Sequence, residues 1–170
     1  MSIVIPGEPR YIELELETSE KNKIPNTQSH EIYPCEMNEL KSIEPTQGKF
    51  LERRTGPTPI YNCHGMTFAS RRTGISDPSV VFQILDDDRY VEISEDKVIP
   101  GDIILYFGEL NDVEHSGIIV SAPRESPLKV AKVCSKWGKY YEGIHWANNV
   151  PYDYRYIKYY RVKRDDLYIS

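Results

Sequence analysis

Apolar and polar positions alternate from residue 11 to residue 17, with Ile12, Leu14 and Leu16 set against Glu13, Glu15 and Glu17. A period of two is the signature of a strand with one buried face. Residues 19–29 are polar, contain Pro25 and predict a loop, and 36–43 predicts a short helical turn. Positions 45–59, with Pro45, Gly48, Gly56, Pro57 and Pro59, read as a connector. The pattern changes at Asn62. Met66, Phe68 and Ala69 recur at helical spacing and predict a helix over 63–72, stopped by Thr73-Gly74. A second short helix is expected at 78–85, and Asp86-Asp87-Asp88 reads as a solvated acidic turn. Pro100-Gly101-Asp102 predicts a tight turn into an apolar strand at 103–107. Further strands are expected at 115–122 and 128–135, separated by Pro123-Arg124-Glu125-Ser126-Pro127, and a last one near 156–162.

A helix followed by an antiparallel meander predicts the α+β class. The 170 residues fit one domain, with 1–55 as an N-terminal extension packing on a core formed by 56–170. At 39% hydrophobic and 28% charged the composition is that of an ordinary globular chain, long enough to bury a core without staples. A net charge of −5 without a basic cluster weighs against nucleic acid as a partner. No apolar run approaches the ~20 residues that span a bilayer. The first residues lack a basic stretch followed by an apolar one, so a cytoplasmic protein, or one exported without a recognisable signal peptide, is expected. Nothing in the pattern speaks to oligomeric state.

The three cysteines, Cys35, Cys63 and Cys134, and the four histidines show no metal-ligand spacing, so neither a disulfide framework nor a metal site is expected. Two of these residues do fall in a productive pattern. Cys63, in Tyr61-Asn62-Cys63-His64-Gly65, opens the predicted helix, and His115 opens a predicted strand. A free thiol is only a few per cent thiolate at neutral pH. A helix N-terminus favours the anion, and an imidazole can take the proton and hand it to a leaving amine. A third group usually orients the imidazole. A hairpin centred on Glu125 opposes Val120 to Val130 and His115 to Ser135, placing those two side chains ~5 Å apart on one face. A slip of one residue would present Cys134 or Lys136 instead. His145, in an unassigned loop, is the other candidate.

These residues carry a resemblance. Asn62-Cys63-His64-Gly65-Met66 resembles the Asp-Cys-Ser-Gly-apolar nucleophile motif of the NlpC-type cell-wall peptidases. Pro100-Gly101-Asp102-Ile103-Ile104 and then His115-Ser116-Gly117-Ile118 resemble that family's Pro-Gly-Asp-apolar and His-Val-Gly-Ile strands, in the same order. The likeness covers residues 60–136 and extends to the CHAP amidases, a group with a papain-like core. It implies a helix carrying Cys63 packed on an antiparallel sheet, with Cys63 as nucleophile and His115 as base. Ser135 stands where the family has a third polar residue, often His, Asn or Gln, and His64 where it has a small residue. The Cys63 N–H would contribute to an oxyanion hole, and Tyr61 sits where an upstream aromatic could line it.

The expected activity is cofactor-free, thiol-dependent hydrolysis of a peptide or amide, with peptidoglycan-type peptides as the substrate the resemblance implies. A wall-directed enzyme without a signal would travel by a specialised or phage-encoded route, as a toxin or lysin. Two other readings stand beside this one. The first is a protein-modifying cysteine enzyme: a deamidase, transglutaminase or isopeptidase. The second is a non-catalytic binding module using the aromatic segment Trp137, Tyr140, Tyr141 and Trp146. Tyr61, His64, Trp137 and His145 are the candidates for contacts to substrate or oxyanion.

Overall fold

Ile103–Phe107 is apolar at every position because both faces of this strand are covered, the pattern a fully buried strand requires. A computed structural model describes residues 11–43 and 50–163. Positions 1–10, 44–49 and 164–170 of the expected extension, connector and core lie outside the described residues. The elements are β1 (Tyr11–Ile12), β2 (Gln28–Ser29), α1 (Pro34–Ile43), β3 (Glu52–Thr55), α2 (Cys63–Phe68), α3 (Pro78–Asp87), β4 (Tyr90–Ile93), β5 (Ile103–Phe107), β6 (Val113–Ser121), β7 (Lys132–Lys136), β8 (Glu142–Trp146) and β9 (Tyr156–Val162). The class is α+β: seven strands form one antiparallel sheet in the order β3-β8-β7-β6-β5-β9-β4, with few helices. Among the described residues no helix is long and apolar enough to cross a membrane.

Two apolar clusters meet at β5. Ile103, Leu105 and Phe107 pack with Val113 against Val81 and Leu85 of α3. Ile104 and Tyr106 point the other way, to Val98, Ile119, Val133, Ala147 and Tyr159. The helix carrying Cys63 packs on β6 and β7. The connection from β8 to β9 passes three intervening strands, held by the Tyr106 hydroxyl donating to the Ala147 carbonyl at 2.7 Å and by Arg155 N–H donating to the Phe107 carbonyl at 2.7 Å.

Several elements differ from the sequence expectation. The strand expected at 11–17 is only two residues long, because the Asn26 side chain bonds both the N–H and the C=O of Leu14 where a neighbouring strand would. Part of the expected connector is the edge strand β3, which adds to β8 through its backbone. The helix from Cys63 ends at Phe68, since Ser70 and Arg71 take left-handed backbone angles (φ 51° and 64°). Lys129, also left-handed, delays β7 to Lys132. The acidic run at the end of α3 holds the N-terminal segment: Asp87 accepts from Thr18 at 2.6 Å and Asn22 at 2.9 Å, and Asp88 from the Ser19 N–H at 2.7 Å.

Candidate active site

Asn62 starts α2 because its side-chain oxygen accepts from the N–H of Gly65 at 2.9 Å. The same amide ties the loop after the helix, accepting from Ile75 N–H and donating to Ile75 C=O. Cys63 is thereby fixed as the first residue of a helix whose far side is closed by Thr73. Only glycine fits at position 65, where a Cβ would stand 1.8 Å from the Thr73 carbonyl oxygen.

His115 is fully buried, on the face of the sheet shared with Tyr106. Its Nε2 lies 3.0 Å from Ser135 Oγ, which lies 2.6 Å from His145 Nε2. The register that produces this is not the one expected. Ile118 pairs with Cys134 and Ile119 with Val133, a shift of two positions that places Ser135 diagonal to His115 rather than opposite it. A shift of two keeps each side chain on its face, so the contact survives. A glycine makes room for it: a Cβ at Gly117 would stand 3.2 Å from Ser135 Cβ and 2.4 Å from Val133 Cγ1, while the glycine paired with Ser135 on β8, Gly143, leaves its space to the Phe50 ring. Over this gap the two imidazoles converge on one hydroxyl.

Counting protons orients the chain. His145 Nδ1 lies 2.8 Å from the Trp146 carbonyl, which can only accept, so Nδ1 carries a proton. Burial pushes His145 down to about 4, so the ring is neutral and its Nε2 is an acceptor. Ser135 therefore donates to His145 and accepts from His115 Nε2–H. The remaining nitrogen of His115, Nδ1, is buried with no hydrogen-bond partner among the described residues. This leaves it free to take a proton.

The Cys63 thiol is buried, which alone would raise its pKa. The electrostatic pull of His64 and then of His115 overrides this and holds it well below the ordinary thiol value. A six-residue helix adds little beside two imidazoles. Tyr152 covers the pair, its ring 4.5 Å from that of His115 and tilted by 30°. Burial, with the negative charge of Cys63 behind it, pushes the Tyr152 phenol far up.

Of the other predicted contacts, His64 is buried beside Cys63, its Nδ1 2.8 Å from Ser116 Oγ. The Tyr61 hydroxyl is committed to Glu142 at 2.7 Å. Trp137 stacks on Phe50 with ring centroids 3.9 Å apart and lies 5.8 Å from His145, forming the wall behind it. Tyr141 and Trp146 serve elsewhere, under Arg53 and Lys132.

Glu142 escaped the sequence reading of the site, and Lys136 entered it only as what a slipped register would present to His115. Glu142 is buried and accepts from Tyr61, from Arg71 Nε and Nη2 at 2.8 Å each, and from the Cys134 thiol. Its pKa stays below the usual carboxylate value although burial opposes this, chiefly through Arg71. Lys136, its cross-strand partner, is also buried and donates to the carbonyls of Thr58 at 2.9 Å and Gly138 at 2.8 Å. It thus ties the lead into Cys63 to the β7–β8 turn. Opposite charges flanking the Trp-Gly-Lys-Tyr-Tyr turn were the signal that could have shown the pair.

Burial pushes Lys136 down to about 7, against the pull of Glu142 and Cys63. Between that value and the ~10.4 of an unfolded lysine, the unfolded chain binds the extra proton. Stability should therefore rise with pH across this window. Denaturation of the parent and of Lys136→Met at a series of pH values should show a rise of up to ~1.4 kcal/mol per pH unit that the variant lacks. Parallel curves would refute the assignment.

Among the described residues no group of three or more His, Cys, Asp or Glu side chains is arranged to hold a metal ion. Comparison with family models, curated proteins and solved structures finds no match for the chain.

Proposed function

We propose that the chain is a cysteine-dependent amide hydrolase of papain-like arrangement, with Cys63 as nucleophile, His115 as acid and base, and Ser135 and His145 as the relay that orients it. The observation that carries the reading is the proton order of the buried chain. His115 Nε2 is committed to Ser135 and His145, and Nδ1 is left for the thiol.

In the first half-reaction the Cys63 thiol passes its proton to His115 Nδ1, and the sulfur attacks the amide carbonyl carbon to form a C–S bond. The C–N bond then breaks as the protonated His115 gives its proton to the departing amine. Water, deprotonated by His115, next cleaves the thioester to a carboxylic acid and returns the thiol. Ser135 accepts from His115 Nε2–H throughout, keeping Nδ1 aimed at the reacting atoms. The hydroxyl carries no charge of its own, and the neutral His145 beyond it prevents a second proton from settling on the relay. Peptides and peptidoglycan-type stem peptides are the substrate class to try first, given the resemblance of residues 60–136.

The test is selective chemistry followed by turnover. Iodoacetamide at pH 6 should alkylate Cys63 and spare Cys134, whose thiol is pushed up to about 11 by burial and Glu142; peptide mapping separates both from the exposed Cys35. A panel of peptide and stem-peptide amides should then release amine in step with the intact Cys63. A Cys63 no more reactive than Cys134, together with no release of amine or ammonia from any amide, would sink the proposal. A mass gain on a protein substrate without chain cleavage would redirect it to deamidation.

A further inference from the structure

A catalytic imidazole that takes a proton becomes a cation, and a buried cation needs compensation. In the usual triad a carboxylate supplies it. Here neither ring nitrogen of His115 meets one among the described residues. Nε2 bonds the uncharged Ser135, and Nδ1 has no hydrogen-bond partner. The titratable groups that face the ring are Cys63 on α2, the neutral His145 on β8 beyond Ser135, and two tyrosines. The exposed Glu114 beside it on β6 is hydrogen-bonded to Asp112. Tyr106 is the cross-strand partner of His115 on β5, with ring centroids 5.3 Å apart and planes tilted by 43°. Tyr152, on the crossover from β8 to β9, lies nearer and flatter, at 4.5 Å and 30°. Both fall inside the ~6 Å within which an aromatic face attracts a cation. Burial keeps both phenols protonated, so each ring offers a face and no charge.

The crossover is anchored so as to hold Tyr152 there. Its start is fixed by the Tyr106 hydroxyl on the Ala147 carbonyl, and its end by the Arg155 N–H on the Phe107 carbonyl, each at 2.7 Å. Between them Tyr154 meets the Tyr106 ring edge-on, with centroids 5.2 Å apart and planes at 74°. Tyr106 thus flanks His115 and also holds the segment that brings Tyr152. We propose that Tyr152, with Tyr106 beside it, takes the place of the missing carboxylate: its ring face stabilises the imidazolium that His115 becomes on taking the Cys63 proton. The inference rests on Cys63 and His115 carrying out the hydrolysis. Tyr152 acts through His115 and is a positioning residue. The attraction of a neutral ring is weaker than that of a carboxylate, so the proton is held on His115 and still released to the departing amine.

The experiment follows the His115 proton by ring-labelled histidine NMR, with the signal assigned through His115→Gln. Every chain carries Cys63→Ala, so that no thiolate compensates the ring. The residue at 152 is then Tyr, Phe or Leu. Tyr152→Phe keeps the face and drops the hydroxyl, and its midpoint should match that of Tyr. Tyr152→Leu removes the face, and its midpoint should fall by about one pH unit, a ~10-fold loss of proton affinity. A ring that served only as a cover predicts the opposite sign, because admitting water favours the charged imidazole. An unchanged or raised midpoint in Tyr152→Leu, or an equal fall in Tyr152→Phe, overturns the assignment and leaves the hydrolase reading standing.

If Tyr152→Leu does not fold, pentafluorophenylalanine installed at position 152 decides. It keeps the shape of the phenylalanine ring and reverses the sign of its face. The His115 midpoint should again fall below that of Tyr152→Phe, and an unchanged midpoint overturns the proposal. This reading needs no turnover, so it fails separately from the alkylation of Cys63 in the parent, whose failure strikes the hydrolase reading itself.

Discussion

Cys63→Ser is expected to leave a folded chain whose amide turnover has fallen by ~10³-fold or more. Sulfur and oxygen are close enough in size for the buried position to keep its packing, and a serine still begins α2 under the Asn62 cap. What changes is the acidity of the nucleophile. Two imidazoles stabilise a thiolate, but the same surroundings do not ionise an alcohol at neutral pH. The loss should fall on kcat, because the covalent step disappears while the groups that bind substrate stay in place. The substitution also removes the anion beside His64. The pull of that anion is what raises His64 against burial, so His64 should titrate lower in the variant. The measurement is steady-state hydrolysis of whichever amide the parent cleaves, with a thermal melt of both proteins. Undiminished turnover in a folded Cys63→Ser would remove Cys63 from the mechanism. A collapse of the melt would assign the residue a structural role instead.

The site was legible to the extent that local periodicity carries information across a sheet. Ile103–Phe107 announced itself because it is covered on both faces. The contact between His115 and Ser135 followed from a hairpin argument whose register was off by two, and it persisted because a shift of two preserves the face. β8 was not legible. Its inward positions include Glu142 and His145, polar residues whose burial is made tolerable by partners on other elements. No hydrophobic alternation marks such a strand. β3, Glu-Arg-Arg-Thr, has no apolar position at all and is held at the edge by backbone bonds to β8. Without these two strands His145 had no address, and the relay behind Ser135 could not be drawn. Asp87 shows the same limit. Read locally it is a solvated acid, but its partners Thr18 and Asn22 lie far away in the sequence. What the chain hides is long-range polar pairing, which has no period.

The second large effect is on the scaffold of the nucleophile. Gly65→Ala should destabilise the chain by about 3 kcal/mol, toward the upper end for an added methyl group in a packed site. The atoms a Cβ would meet are the carbonyl oxygen of Thr73 at 1.8 Å and its carbon at 2.9 Å, both backbone, so no rotamer change relieves the overlap. Either α2 or the loop through Thr73 must move. The loop is anchored by Asn62 at Ile75, by Thr73 Oγ1 donating to Asn26 at 2.8 Å, and by the pairing of Gly74 with Thr27. On that side the helix is held by Asn62 and by the Arg71 N–H donating to the Gly65 carbonyl at 3.2 Å, fewer ties than the loop has, so the displacement should be taken up there, drawing Cys63 from its imidazoles. A melt about 10 °C lower is expected for a chain of this size, together with a rise in the pH at which Cys63 becomes reactive. Gly56→Ala is the control, since nothing lies within 4 Å of the added Cβ there. An unchanged melt for Gly65→Ala would mean that helix and loop are looser than the Asn62 hydrogen bonds imply. Cys63 would then have to be held by its charge pairing more than by its backbone.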